Sequence, residues 1–179
     1  MKGNIVNYMK CNTGANIMNS VLIVAAGQGK RIGGNTPKQF IKLNGKTVLS
    51  YSIDTFKSIK EISEIIIVTS KDWVPSLSSI YKDCKIVVGG DTRRKSVKKG
   101  VRACSNNTEN ILIHDAARPF ITKKIIHDCL TLLTDNDISV PLINTHDTLL
   151  NINDEIKYLN RESIKGIQTP QCFKMKKLK

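Results

Sequence analysis

Between Ala25 and Lys38 the sequence sets Gly27, Gly29, Gly33 and Gly34 among the cations Lys30, Arg31 and Lys38. Glycines let the backbone approach a ligand closely. The apolar run Val21-Leu22-Ile23-Val24 comes directly before and reads as a buried strand. Small residues, exposed backbone N–H groups and cations after a first strand suit a bound polyphosphate. The spacing Gly27-x-Gly29-x-x-x-Gly33 is neither the dinucleotide G-x-G-x-x-G nor the P-loop G-x-x-x-x-G-K-[ST]. Spacing alone therefore leaves open an ordinary strand-to-helix loop with solvated charges.

Two further stretches carry chemistry. Gly89-Gly90-Asp91-Thr92-Arg93-Arg94-Lys95-Ser96 is a turn followed by a basic helix start. Basic residues at a helix N-terminus oppose the macrodipole, and an anionic ligand would give them a reason to be there. His114-Asp115-Ala116-Ala117-Arg118-Pro119-Phe120 places an acid at the end of an apolar strand, where it can hold Mg²⁺ bound to phosphates. Arg118 can orient that acid or reach an anionic substrate. An internal Asp–Arg pair that only shapes the loop is the alternative.

Taken together these stretches resemble the nucleotide-sugar-type cytidylyltransferases, most closely the 2-C-methyl-D-erythritol 4-phosphate cytidylyltransferases. The family signature A-A-G-x-G-x-R-[MI] stands as Ala25-Ala26-Gly27-Gln28-Gly29-Lys30-Arg31-Ile32, and P-K-Q-[FY] as Pro37-Lys38-Gln39-Phe40. G-G-x-x-R-x-x-S, H-D-A-A-R-P-F, D-T at Asp147-Thr148, and R…Q-T-P-Q-x-F from Arg161 to Phe173 follow in order. Val24 replaces the proline often found before A-A-G.

The resemblance implies transfer of CMP from CTP to methylerythritol 4-phosphate, with Mg²⁺ as cofactor. It places Arg31 and Lys38 on the triphosphate as catalytic cations. Ala25, Ala26, Gly27, Gly29 and Ala116 belong to the nucleotide site. Gly90, Asp91 and Ser96 lie against the cytosine ring, with Arg93 holding the pocket. Asp115, Arg118 and Thr169 line the acceptor site, with Asp115 also the metal ligand. Thr148 and Arg161 ride on a hairpin arm, at about 144–162, that crosses to the other subunit of a homodimer. A solvated hairpin surface is the alternative for Thr148. Ribitol-5-phosphate cytidylyltransferases share almost every motif and give one alternative function. A non-catalytic CTP-binding remnant is another. The family continues past Q-T-P-Q-x-F, so the resemblance implies a domain, 20–179, lacking its C-terminal part.

These groups need a scaffold to bring them together. Strands are expected at Val21–Val24, Glu64–Thr69, Lys85–Val88, Asn110–His114 and Ile138–Ile143, with a short strand and turn at Ile41–Lys46. Helices are expected from Thr47 to about Ser58, briefly within Lys71–Asp83, and over Thr92–Cys104 and Thr122–Thr134. Alternation of this kind predicts an α/β fold with a mainly parallel sheet. With the resemblance it becomes a Rossmann-like nucleotidyltransferase fold, helices on both faces and a projecting β-hairpin. The three polar motifs each follow an apolar strand, so they should converge on the carboxyl edge of the sheet. Met1–Asn19 reads as an irregular extension, with Met18 a candidate start.

With 179 residues, 40% hydrophobic and 24% charged, the composition is that of a soluble globular domain. The net charge of +13 fits polyanionic ligands. Aromatics at 5% offer few stacking platforms for nucleic acid, and the basic clusters are separate. No apolar run is long enough for a bilayer and no leader is evident, so neither membrane nor export is expected. The five scattered cysteines fit reduced thiols in a cytoplasmic protein.

Overall fold

The computed structural model describes residues 17–27, 36–152 and 156–178. In chain order the elements are β1 (Asn19–Ala25), β2 (Lys42–Leu43), β3 (Lys46–Thr47), α1 (Val48–Lys57), β4 (Ile62–Thr69), α2 (Val74–Ile80), β5 (Lys85–Val88) and α3 (Arg93–Ala103). There follow β6 (Asn110–Asp115), α4 (Lys123–Leu132), β7 (Ile138–Ser139), β8 (Leu142–Asn144), β9 (Leu150–Asn151), β10 (Lys157–Tyr158), β11 (Lys165–Ile167) and β12 (Gln171–Lys174).

Six strands form one sheet in the order β5-β4-β1-β6-β12-β7. The first four are mutually parallel, with Val21 opposite Ile65 on one side and Leu112 on the other. Their apolar runs are continuous because both faces of the sheet are covered. Val21 and Ile23 face a core with Leu49, Ile53 and Phe56 of α1, Leu77 of α2, and Ile126 and Cys129 of α4. Leu22 faces the other way, with Ile66, Val68, Ile111, Ile113 and Met175, against half-buried Val97 and Val101 of α3. Helices therefore pack on both faces, as expected.

The helix starts follow capping chemistry. Thr47, Thr92 and Thr122 each accept a hydrogen bond from the backbone N–H three residues on, at 3.3, 3.1 and 3.4 Å. The expected turn before α1 is a β2–β3 hairpin, with Asn44 and Gly45 at φ 49° and 80°. Trp73 stacks on Phe40 at 3.9 Å between ring centroids, an anchor for the segment after β4.

Two regions depart from the expected pattern. Ile138–Ile143 is not one strand. Pro141, which cannot donate to a ladder, separates β7, paired with β12, from β8, paired with β11. The second departure is β12, which inserts antiparallel between β6 and β7. The hairpin arm then runs from Leu142 to Ile167, longer at both ends than expected, and carries two short ladders, β8–β11 and β9–β10.

Candidate functional site

The carboxyl edge of the parallel strands collects the polar motifs. The turn after β1 is tied down by Gln39, whose Nε2 donates to the carbonyls of Ala25 at 2.6 Å and Gly27 at 2.8 Å. Gln39 and Phe40 are buried, and Lys38, half-buried, is the preceding residue in the same short 3-10 turn. The Pro37-Lys38-Gln39-Phe40 segment is thus fixed to the end of β1 and the turn at Gly27. Gly29 and Arg31 lie outside the described residues.

The turn after β5 packs against the turn after β1. A Cβ on Gly89 would stand 2.6 Å from Cβ of Ala26 and 2.9 Å from Oγ of Ser96, so only glycine permits this approach. Ser96 is buried, and its Oγ accepts from Gly90 N at 3.0 Å and donates to Gly90 O at 3.2 Å. Its hydroxyl braces the glycine turn. Asp91 is exposed and pairs with Lys95 at 2.8 Å, which holds its carboxyl below the ordinary range.

The third contribution comes from β6. Asp115 receives Arg93 on Oδ1 at 3.1 Å and Arg118 on Oδ2 at 3.4 Å. Both carboxylate oxygens therefore face guanidinium groups. Ala116 is buried and its N–H donates to Val24 O at 3.1 Å, which pins the loop to the end of β1. Arg118 also donates to the side chain of Gln168. Thr169 is buried, with its hydroxyl 3.0 Å from Nδ1 of His114 and 3.4 Å from the backbone N–H of Asp115. His114 Nε2 lies 3.1 Å from Arg118 O and 3.3 Å from Ser52 Oγ. Burial pushes the His114 imidazole down to about 4, so the ring is neutral near pH 7.

Ala25, Ala26, Gly27, Gly90, Arg93, Ser96, Asp115, Ala116, Arg118 and Thr169 thus meet at one edge of the sheet, joined by these contacts. Thr148 and Arg161 do not join them within this chain: both are exposed on the arm. Gln39, Gln168 and Ser52 were not foreseen as site residues. Gln39 stood in plain view inside P-K-Q-F, but nothing in its position indicated which carbonyls it would bind.

Open α/β sheets bind their ligands at this edge. Two glycine turns and two guanidinium groups converging there suit the phosphates of a nucleotide, the substrate class of the nucleotidyltransferases. The family is narrower still. Residues 19–179 match the model described as IspD: 2-C-methyl-D-erythritol 4-phosphate cytidylyltransferase. The protein of that name from Clostridium botulinum (strain Loch Maree / Type A3) is 40% identical over 164 residues, covering 87% of this chain and 72% of the relative. That from Thermotoga neapolitana is 35% identical over 167 residues, covering 90% and 75%. The crystal structure of 4-diphosphocytidyl-2C-methyl-D-erythritol synthase from Anaerococcus prevotii superimposes with a TM-score of 0.79 at 30% identity, covering 91% of this chain and 72% of that one. The chain belongs to the 2-C-methyl-D-erythritol 4-phosphate cytidylyltransferase family of isoprenoid biosynthesis. These matches favour neither ribitol phosphate as acceptor nor a non-catalytic remnant.

Proposed function

We propose that this chain carries out the family reaction at the site built on Ala25–Gly27, Gly89–Ser96 and Asp115–Arg118. An acceptor phosphate oxygen attacks the α-phosphate of CTP in line, and pyrophosphate leaves. The attacking phosphate is already anionic, so no enzyme nucleophile or strong base is needed. Positioning and neutralisation of charge carry the catalysis. Lys38, on the turn held against Ala25 and Gly27, supplies a cation, with Arg31 assigned the same work by resemblance. Arg118, held by Asp115, offers a guanidinium group for the acceptor phosphate, and Arg93, on the other carboxylate oxygen, ties the nucleotide pocket to it. The carrying observation is the doubly paired Asp115 beside two glycine turns.

Magnesium enters this proposal as an ion brought by the triphosphate. Among the described residues no three His, Cys, Asp or Glu side chains group to hold a metal. Asp115, expected as a ligand, spends both oxygens on guanidinium groups. The donor set therefore fits an ion coordinated by phosphates and water and does not fit one caged by the protein. Such an ion neutralises phosphate charge.

A homodimer also belongs to the proposal. On the arm, Ile152, Ile156 and Tyr158 are 73%, 78% and 79% exposed, apolar surface of the kind that a partner covers. Thr148 and Arg161 would then reach the acceptor of the other subunit. No described helix is long and apolar enough to cross a membrane. The four described cysteines are unbridged, in keeping with a cytoplasmic protein.

The deciding experiment measures pyrophosphate release from CTP and Mg²⁺ with methylerythritol 4-phosphate, and with ribitol 5-phosphate in parallel. Release with the first acceptor alone is expected. Release with ribitol 5-phosphate alone, or with neither, overturns the proposal.

A further inference from the structure

Three segments distant in sequence meet on the imidazole of His114. It sits at the end of β6, fully buried, with its ring edge-on to Phe56 at 5.2 Å between centroids. Its two nitrogens reach different parts of the fold. Nε2 lies 3.1 Å from the carbonyl of Arg118, a group that only accepts, so Nε2 carries the proton. Ser52 of α1 donates its hydroxyl to the same carbonyl at 3.2 Å. Nδ1 must then accept, and its neighbour at 3.0 Å is the hydroxyl of Thr169. That hydroxyl in turn accepts from the N–H of Asp115 at 3.4 Å.

The directions are consistent around the whole chain of bonds. Asp115 N–H donates to Thr169, Thr169 donates to Nδ1, and Nε2–H donates to Arg118 O. Only the neutral Nε2–H tautomer satisfies all three. Because the backbone of both Asp115 and Arg118 is held in this way, so is the loop that aims their side chains. Thr169 is also where the arm returns to the sheet, and its neighbour Gln168 accepts from the Arg118 side chain. The network therefore couples the acceptor loop to the root of the arm.

We propose that His114 is a positioning residue: as the Nε2–H tautomer it locks loop 115–118 to α1 and to the arm root, and so orients Arg118, together with the Asp115 that aligns it, for the acceptor phosphate. The acceptor half of this inference rests on the proposed cytidylyl transfer. The tautomer half rests on geometry alone.

The test has two readouts on the full chain. Long-range ¹H–¹⁵N correlation at neutral pH reports the tautomer directly, with or without turnover. A proton on Nε2 and a bare Nδ1 are expected; a proton on Nδ1 overturns the lock. The second readout is Ser52→Ala, in α1 and outside the acceptor site. Alanine deletes the hydroxyl that holds the Arg118 carbonyl beside Nε2. Ser52→Ala should weaken methylerythritol 4-phosphate binding by about tenfold and leave CTP binding unchanged. An unchanged acceptor affinity, or an equal loss for CTP, refutes the positioning role. If the unmodified chain binds no acceptor, the proposed function fails, and the tautomer alone decides whether the lock exists.

Discussion

Arg93 and Asp115 stand 22 residues apart in sequence, yet the guanidinium lies 3.1 Å from the carboxylate. The pair bridges the start of α3 to the end of β6 and so joins the segment assigned to the nucleotide to the segment assigned to the acceptor. With Arg118 on the other oxygen, the centre carries two positive charges against one negative. That leaves a net cation facing the phosphates. Asp115→Asn keeps the shape and removes the charge that aligns both arginines. Acceptor KM should rise by about tenfold, since a charge-assisted bond contributes about 1.5–3 kcal/mol and this one is partly exposed. CTP KM should change less. Steady-state kinetics with each substrate varied in turn check this, and an unchanged acceptor KM would remove Asp115 from the site.

Lys38 makes a simpler prediction. It is half-buried and sits on a turn whose next two residues, Gln39 and Phe40, anchor the segment. Removing its ammonium should therefore spare the fold. Lys38→Ala is expected to lose activity by about 10²–10³, the usual effect of deleting one preorganised charge-stabilising group. Its thermal melt should match that of the unmodified protein. Near-normal turnover would sink the catalytic assignment.

Gln39 tests whether the glycine loop needs its tether. Gln39→Glu is isosteric, but its acidic oxygens would face the carbonyls of Ala25 and Gly27, which can only accept. Two hydrogen bonds at about 0.5–1.5 kcal/mol each are lost and repulsion is added. CTP affinity should fall by at least about tenfold, read by titration calorimetry. Gln39→Glu binding CTP normally would mean that the loop holds its shape without the tether.

The parallel half of the sheet was legible because its strands are long, apolar and β-branched. The runs Val21–Val24, Ile65–Val68 and Ile111–Ile113 announce burial on both faces. The convergence of the three motifs followed from each one coming after such a strand. β12 was not legible. Gln171–Lys174 is short and carries the polar ends Gln171 and Lys174, and its place between β6 and β7 depends on pairing with residues about 60 and 34 positions away. The lock on His114 was equally hidden. A lone histidine in a strand gives no sign that a threonine 55 residues on will meet Nδ1. Such bonds arise from topology, which local patterns do not encode.

At the opposite end of the sheet, Glu64 predicts how stability responds to acid. Burial by itself raises its carboxyl, but hydrogen bonds from Lys85 at 2.5 Å, Ser105 at 2.8 Å and Ser20 at 2.8 Å outweigh that and hold it below the ordinary 4.5. The folded state thus binds this proton more weakly than the unfolded chain does. Its contribution to stability is complete above about 4.5 and is lost as pH falls through the lower folded value. Glu64→Gln should melt lower than the unmodified protein at pH 7, with a gap that narrows on titration toward pH 3. A gap that stays constant between those pH values would show that the charge of Glu64 is not what matters.

Gly89 and Ala26 make the sharpest packing prediction. A methyl group on Gly89 would meet the Ala26 methyl at 2.6 Å, closer than any real pair of carbons packs, and Ser96 Oγ at 2.9 Å. Neither neighbour is a flexible side chain that can swing away. Ala26 lies in the turn held by Gln39, and Ser96 is committed to Gly90. Gly89→Ala must therefore push the two nucleotide turns apart. Overpacking of this kind costs about 1–3 kcal/mol, and CTP affinity should fall together with the melting temperature. The second-site variant Ala26→Gly removes the worse of the two clashes. In the Gly89→Ala background it should restore part of both losses, because the two residues share one contact and their effects cannot add. Differential scanning calorimetry and CTP titration on the two single variants and the double variant complete the cycle. Strict additivity in both would mean that the two glycine-rich turns do not bear on each other in solution.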